Sequence, residues 1–157
     1  MICSAAGGRV SDGGNTFLMT FDTEQMLVDR LLLLLETDAT CWGPVRTTSE
    51  FFYSRGRTDV LALGDGDTLI AFEAKLTDWK TALQQAYRNT CFANSSYVVL
   101  PRATALTARQ YLGEFQKRGV GLCYVDGEDV VVLHESPLNK PLEPWLASEA
   151  ITAVAQG

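Results

Sequence analysis

Histidine is nearly absent from the chain: His134 is the only one in 157 residues. A zinc site or a Cys–His catalytic pair would have to lean on that single imidazole. It follows the apolar run Val130-Val131-Val132-Leu133, which suits a strand-end residue facing water, so both chemistries are set aside. Cysteine is scarce and scattered. Cys3, Cys41, Cys91 and Cys123 form no C-x-x-C spacing and no ligand cluster, and three of them sit among apolar residues. That is the pattern of reduced core thiols in a cytoplasmic protein. Long hydrophobic runs are missing too. The five leucines Leu31 to Leu35 fall far short of a membrane span, so no membrane partner is expected. The stretch Met1 to Asn15 lacks the cationic start and apolar centre of a signal peptide and reads as part of a flexible tail over residues 1–20. Positive charge is in deficit, with 13 Lys and Arg against 19 Asp and Glu and a net charge of −6. A protein that coats nucleic acid without selectivity needs the opposite balance.

The composition is otherwise that of one soluble domain. Hydrophobic residues make up 46% and charged residues 20%, and 157 residues can bury one respectable core but not two. Six of the 13 basic residues concentrate in one part of the chain: Arg46, Arg55, Arg57, Lys75, Lys80 and Arg88.

Within that part lie two apolar runs with charges set into them. Gly56-Arg57-Thr58-Asp59-Val60-Leu61-Ala62-Leu63 and Leu69-Ile70-Ala71-Phe72-Glu73-Ala74-Lys75 both read as buried strands, and Gly64-Asp65-Gly66-Asp67 between them signals a hairpin turn. Strand side chains alternate faces, so Glu73 and Lys75 share a face with Ala71 and Leu69. A two-residue Asp65-Gly66 turn sets Asp59 opposite Phe72 and parts the carboxylates. A three-residue connection, Asp65 to Asp67, sets Asp59 across from Glu73, Leu61 across from Ala71 and Leu63 across from Leu69. The functional reading requires the odd connection. Two carboxylates and an ammonium then stand at one hairpin end, the minimum equipment for a divalent-metal site that hydrolyses a phosphodiester. The alternative is an edge-strand ion pair that serves solubility.

The order of elements around the hairpin follows from local signals. A helix starts near Phe21-Asp22-Thr23, capped by Asp22 or Thr23, and runs to about Glu36. Thr40 to Tyr53 crosses Gly43-Pro44 and becomes a first strand. After the hairpin a helix covers Asp78 to Ala93, and Ser96 to Leu100 is a short buried strand ended by Pro101. Thr104 to Arg118 is a helix stopped by Gly119, followed by strands Val120 to Val125 and Val130 to His134. Residues 21–135 thus form the domain, and residues 136–157 an extension with a short helix from Pro144 to Ala155. No internal repeats are present.

The run from Glu73 through Arg88, with Asp59 before it, resembles the PD-(D/E)XK nuclease superfamily over roughly Asp22 to Val125. The resemblance implies a restriction-endonuclease-like α/β fold, a mixed β-sheet flanked by α-helices in the order α-β-β-β-α-β-α-β-β. It also implies that Asp59 and Glu73 hold Mg²⁺, or Mn²⁺ in its place, with the Ala74 carbonyl as a further oxygen. Lys75 would orient the attacking water or stabilise developing charge. The following helix would reach back with Gln84 or Gln85; we take Gln85. Glu24, in the first helix, stands where relatives commonly add an acid facing the metal, although the helix dipole explains a first-turn glutamate equally well. Arg57, Lys80 and Arg88 are the candidate nucleic-acid contacts. The implied activity is hydrolysis of DNA presented in branched or single-stranded form or by a partner, with a homodimer among the assemblies open to the chain. One departure stands out. Relatives tend to carry a tyrosine four residues after the helix glutamine, and here that place is Asn89, counted from Gln85, or Arg88, counted from Gln84. Two further readings stay open: a nuclease-like binding or assembly module with little or no catalysis, and an interaction protein in which Asp59, Glu73 and Lys75 form a structural ion cluster.

Overall fold

The computed structural model describes residues 20–37 and 39–157, so the expected tail, apart from residue 20, lies outside the described residues together with Cys3. Six strands form one mixed sheet in which every strand lies beside its neighbour in sequence: β1 (Arg46–Tyr53), β2 (Gly56–Leu63), β3 (Leu69–Ala74), β4 (Ser95–Pro101), β5 (Gly121–Val125) and β6 (Val130–His134). The pairs β1–β2, β2–β3 and β5–β6 are antiparallel, and the pairs β3–β4 and β4–β5 are parallel. The parallel pairs need crossovers, and helices supply them: α2 (Trp79–Asn89) between β3 and β4, then α3 (Arg102–Ala108) and α4 (Leu112–Arg118) between β4 and β5. Helix α1 (Glu24–Glu36) precedes the sheet and α5 (Pro144–Gln156) follows it.

The layers follow from which side chains each helix buries. Thr23 caps α1 by accepting the Met26 N–H at 3.1 Å, and the helix buries Leu27, Val28, Leu31, Leu34 and Leu35. This stripe packs on Val60, Ala62, Ile70, Phe72, Tyr97, Val99 and Cys123, one face of the sheet. On the opposite face α2, α3 and α4 pack over Val98, Leu100 and Leu122, and α5 packs over Leu61, Leu69 and Ala71. The helix after Pro144 therefore belongs to the main core, through Leu146, Ala147, Ala150 and Val154. Strand β3 is buried along its whole length, as a strand covered on both faces must be. Gly121 of β5 lies against the Tyr97 ring, where a Cβ would collide with ring carbons and with the Ser136 backbone nitrogen.

Three boundaries differ from expectation. The first strand begins at Arg46, because Thr40 to Pro44 is used for turns around Gly43. Helix α2 ends at Asn89, and the next residues turn back through Phe92 N–H to Asn89 O and Ala93 N–H to Asn89 O contacts. The helix expected over Thr104–Arg118 starts two residues earlier and breaks at a 3-10 turn, Arg109–Tyr111. Cys91 and Cys123 are buried thiols, and burial pushes both above the ordinary thiol range, Cys91 to about 11. Among the described residues, no helix is long and apolar enough to cross a membrane.

Candidate active site

The hairpin connection is the odd one. Gly64 N–H donates to Thr68 O at 2.9 Å and closes a three-residue turn, Asp65–Asp67, in which Gly66 takes a positive φ of 67°. The register is Leu63 with Leu69, Leu61 with Ala71 and Val60 with Phe72. At Glu73 and Ala74, β3 runs alongside Val98 and Val99 of β4, and the Ala74 N–H goes to the side chain of Asp59, at 2.9 Å from Oδ2. One carboxylate oxygen thus takes a backbone donor at the strand end, and that bond fixes the Asp59 rotamer.

Asp59, Glu73 and Lys75 line one cavity of about 140 Å³ with Gln85 and Arg88 of α2. Arg55, Gly56 and Arg57, at the tip of the β1–β2 hairpin, form its lip, and Tyr53 forms part of its wall. Glu73 is 1% exposed. Burial pushes its carboxyl up to about 8, and the neighbouring Asp59 carboxylate pushes in the same direction. The opposing influence is Asn89, whose Nδ2 donates to Glu73 Oε1 at 2.8 Å. Asn89 is itself held: its Oδ1 accepts from Tyr53 OH at 2.8 Å and from Thr58 Oγ1 at 2.9 Å. Tyr53, pushed up to about 12 chiefly by burial, keeps the proton that this bond needs.

The cations are arranged around the acids. Arg57 Nη2 is 3.3 Å from Asp59 Oδ1, and its Nη1 is 3.7 Å from Glu50. Arg88 donates to the Arg55 carbonyl at 3.1 Å, which ties α2 to the hairpin tip, and Arg55 pairs with Glu143 at 3.6 Å. Lys75 Nζ is 3.6 Å from Glu24 Oε1. Glu24 therefore meets the lysine of the site, and it lines a neighbouring depression together with Asp59 and Arg57.

Of the residues singled out from sequence, Asp59, Glu73, Lys75, Gln85, Arg57 and Arg88 come together. Lys80 does not. Its ammonium lies 5.7 Å from the centre of the Trp79 ring, and it lines a second cavity with Gln84 on another side of α2. The residues that the sequence reading passed over are Asn89 as the holder of Glu73, with Tyr53 and Thr58 behind it. The spacing from Gln85 to Asn89 was the available signal, since residues four apart share a helix face. Nothing local marks Tyr53, which reaches Asn89 only through the β1–β2 pairing.

Comparison with known proteins adds fold and nothing else. No family model matches the chain, and no curated protein matches it. Among solved structures, a protein of unknown function from Silicibacter pomeroyi superposes with a TM-score of 0.63 at 16% identity, covering 88% of this chain and 87% of the other. The two share an α/β architecture.

A cation would find two oxygen-donor side chains here: Glu73 with one oxygen held by the Asn89 amide, and Asp59 with one oxygen on the Ala74 N–H and the other beside the Arg57 guanidinium. Among the described residues no group of three or more His, Cys, Asp or Glu side chains converges into a metal cage. Carboxylate oxygens suit hard divalent ions that keep several waters.

Proposed function

We propose that the protein is a divalent-metal-dependent nuclease of the PD-(D/E)XK type, hydrolysing phosphodiester bonds in DNA. The observation that carries this reading is the gathering of two carboxylates, an ammonium and an amide around one cavity with an arginine lip. The six-stranded mixed sheet with helices on both faces supports it as an α/β frame that can carry such a site.

In this reading Asp59 and Glu73 hold Mg²⁺, or Mn²⁺ in its place. The bound ion supplies charge neutralisation at the phosphate and lowers the pKa of a coordinated water. Everything else falls to the chain's own residues. Asn89 keeps Glu73 in place and favours its ionised form. Lys75 releases Glu24 and turns its ammonium toward the attacking water or the charge building on phosphate oxygens. Gln85 orients water or the scissile group. Arg57 and Arg88 bind the phosphate backbone, where paired guanidinium donors match phosphate oxygens.

The test is cleavage of plasmid, branched and single-stranded DNA with Mg²⁺ or Mn²⁺. Removing a group that stabilises transition-state charge costs roughly a hundredfold or more, so Lys75→Ala is expected to lose nearly all cleavage while still binding metal. Equal cleavage by wild type and Lys75→Ala would trace the activity to a contaminant. A second reading is a nuclease-like binding or assembly module. It is favoured by the Lys75–Glu24 pair, which occupies the ammonium, and by the net charge of −6. Absence of cleavage on every DNA form would select it.

A further inference from the structure

On the side of α2 away from the acids, three aromatic rings run nearly parallel. Trp79 lies 5.1 Å from Tyr111 at 27° and 5.8 Å from Phe115 at 23°. Their exposure rises along the series, from 0% for Phe115 through 8% for Trp79 to 49% for Tyr111. The stack is rooted in the core and ends on an open ring. It exists because the helix between β4 and β5 breaks at Arg109–Tyr111; Tyr111 there has φ −117° and ψ 32°, outside helical values. Beside the stack is a cavity of about 370 Å³ bordered by Lys80, Gln84 and Arg118. Its one acid, Glu114, is taken up by Arg118 at 2.9 Å and Lys117 at 3.5 Å. The Lys80 ammonium stays on the face of the indole.

We propose that this cavity binds a base of single-stranded nucleic acid, stacked on Tyr111, with Lys80 and Arg118 on the flanking phosphates. The inference deepens the nuclease reading, on which it rests for the identity of the ligand. Three observations select a nucleotide. A flat ring open on one side suits a π-face, and every base has one. Cations standing beside the ring match a strand that carries a phosphate next to each base, and they do so on a chain whose overall charge is negative. Gln84 of this cavity and Gln85 of the acid cavity are consecutive on α2, so one strand crossing a helix about 10 Å wide reaches both. A duplex keeps its bases stacked on one another and offers no free face to Tyr111. The arrangement therefore selects single strands, or the unpaired part of a branched substrate.

The test is an anisotropy titration of the full chain, in chelator so that nothing is cleaved, with a fluorescent oligothymidylate and with a blunt duplex of equal length. The single strand is expected to bind more tightly than the duplex. Tyr111→Ala should weaken single-strand binding about tenfold, within the range that loss of one base–ring stack produces. Tyr111→Phe should bind as wild type, because the ring and not the hydroxyl makes the contact. Lys80→Gln, at an exposed position, should weaken binding and lower the salt slope by about one phosphate contact. Tighter binding of the duplex, no binding of either, or wild-type affinity in Tyr111→Ala overturns the proposal. Because binding is read without metal, the two readings fail separately. A chain that binds in this way but never cleaves keeps the stacking site and loses the nuclease; a chain that cleaves but ignores Tyr111 does the reverse.

Discussion

The β2–β3 hairpin has two ends that obey opposite rules. Toward the turn, Leu61 faces Ala71 and Leu63 faces Leu69 over Phe92 and α5, and every contact favours folding. Toward the open end, a few residues away, the hairpin carries Asp59, Glu73 and Lys75, with the Glu73 carboxyl buried beside the Asp59 carboxylate. Burying such a pair opposes folding. The apolar half stabilises the strands firmly enough that the charged half can be held in an arrangement it would not choose alone. The apolar floor and the charged cluster are separated along one strand pair by less than its length.

That contrast can be broken at either end. The largest effect is expected from Leu61→Ala, which empties a fully buried site between the sheet and α5. Such truncations cost about 2–5 kcal/mol, to be read in urea denaturation. A loss under ~1 kcal/mol would mean that the floor is not what holds the strands. At the charged end, millimolar Mg²⁺ or Mn²⁺ should raise the melting temperature by relieving the acid pair. Occupancy at one hundred times Kd stabilises by about 2.7 kcal/mol. Asp59→Asn should remove that rise, and identical melting with metal and chelator in wild type would leave only a structural ion cluster.

Burial of Glu73, with the Asp59 carboxylate beside it, gives a pH signature. Glu73 rises from 4.5 to about 8 on folding, so the folded chain keeps a proton that the unfolded chain gives up. Its contribution to stability is complete below pH 4.5 and is lost as pH rises through about 8. The slope in that window is at most about 1.4 kcal/mol per pH unit. Glu73→Gln should flatten the profile there, and parallel wild-type and mutant curves would refute the shift. Metal affinity should climb over the same window, because the ion must displace that proton. The smallest effect is expected from Tyr53→Phe. It removes one of the two donors to Asn89 Oδ1, worth about 0.5–1.5 kcal/mol, and leaves Thr58 in place. Loss of the whole metal response in Tyr53→Phe would show that Asn89 is held by the tyrosine alone.

The sequence made the hairpin legible because its signals are local. Alternation set the faces, Gly66 permitted the positive φ, and an odd connection fixed the register of Leu61 with Ala71. What lay beyond local signals was lost. Lys80 and Gln84 share a helix face, and Gln85, one step on, is turned by about 100° toward the acids, so neighbouring positions serve different cavities. The break at Arg109–Tyr111 is tied to tertiary contact of Tyr111 with Trp79, and no proline or glycine within those three residues announces it. Asn89 stood in view as a mismatch with a family pattern. Its role depends on Glu73, Tyr53 and Thr58 arriving from three strands, which spacing along one helix cannot report.

The sequential strand order also bears on how the molecule assembles. Since each strand pairs with its neighbour in the chain, no strand has to be inserted between two that have already met. Hairpins with short connections close in microseconds, whereas the parallel pairs must close a longer loop before their contacts form. The two carboxylates are therefore brought face to face early, while the amide that steadies Glu73 still lies on an undocked segment. The site is drawn up by the quickest part of folding and completed by a slower one. Docking of α2 is the step that brings Asn89 onto Glu73 and Gln85 to the acid cavity.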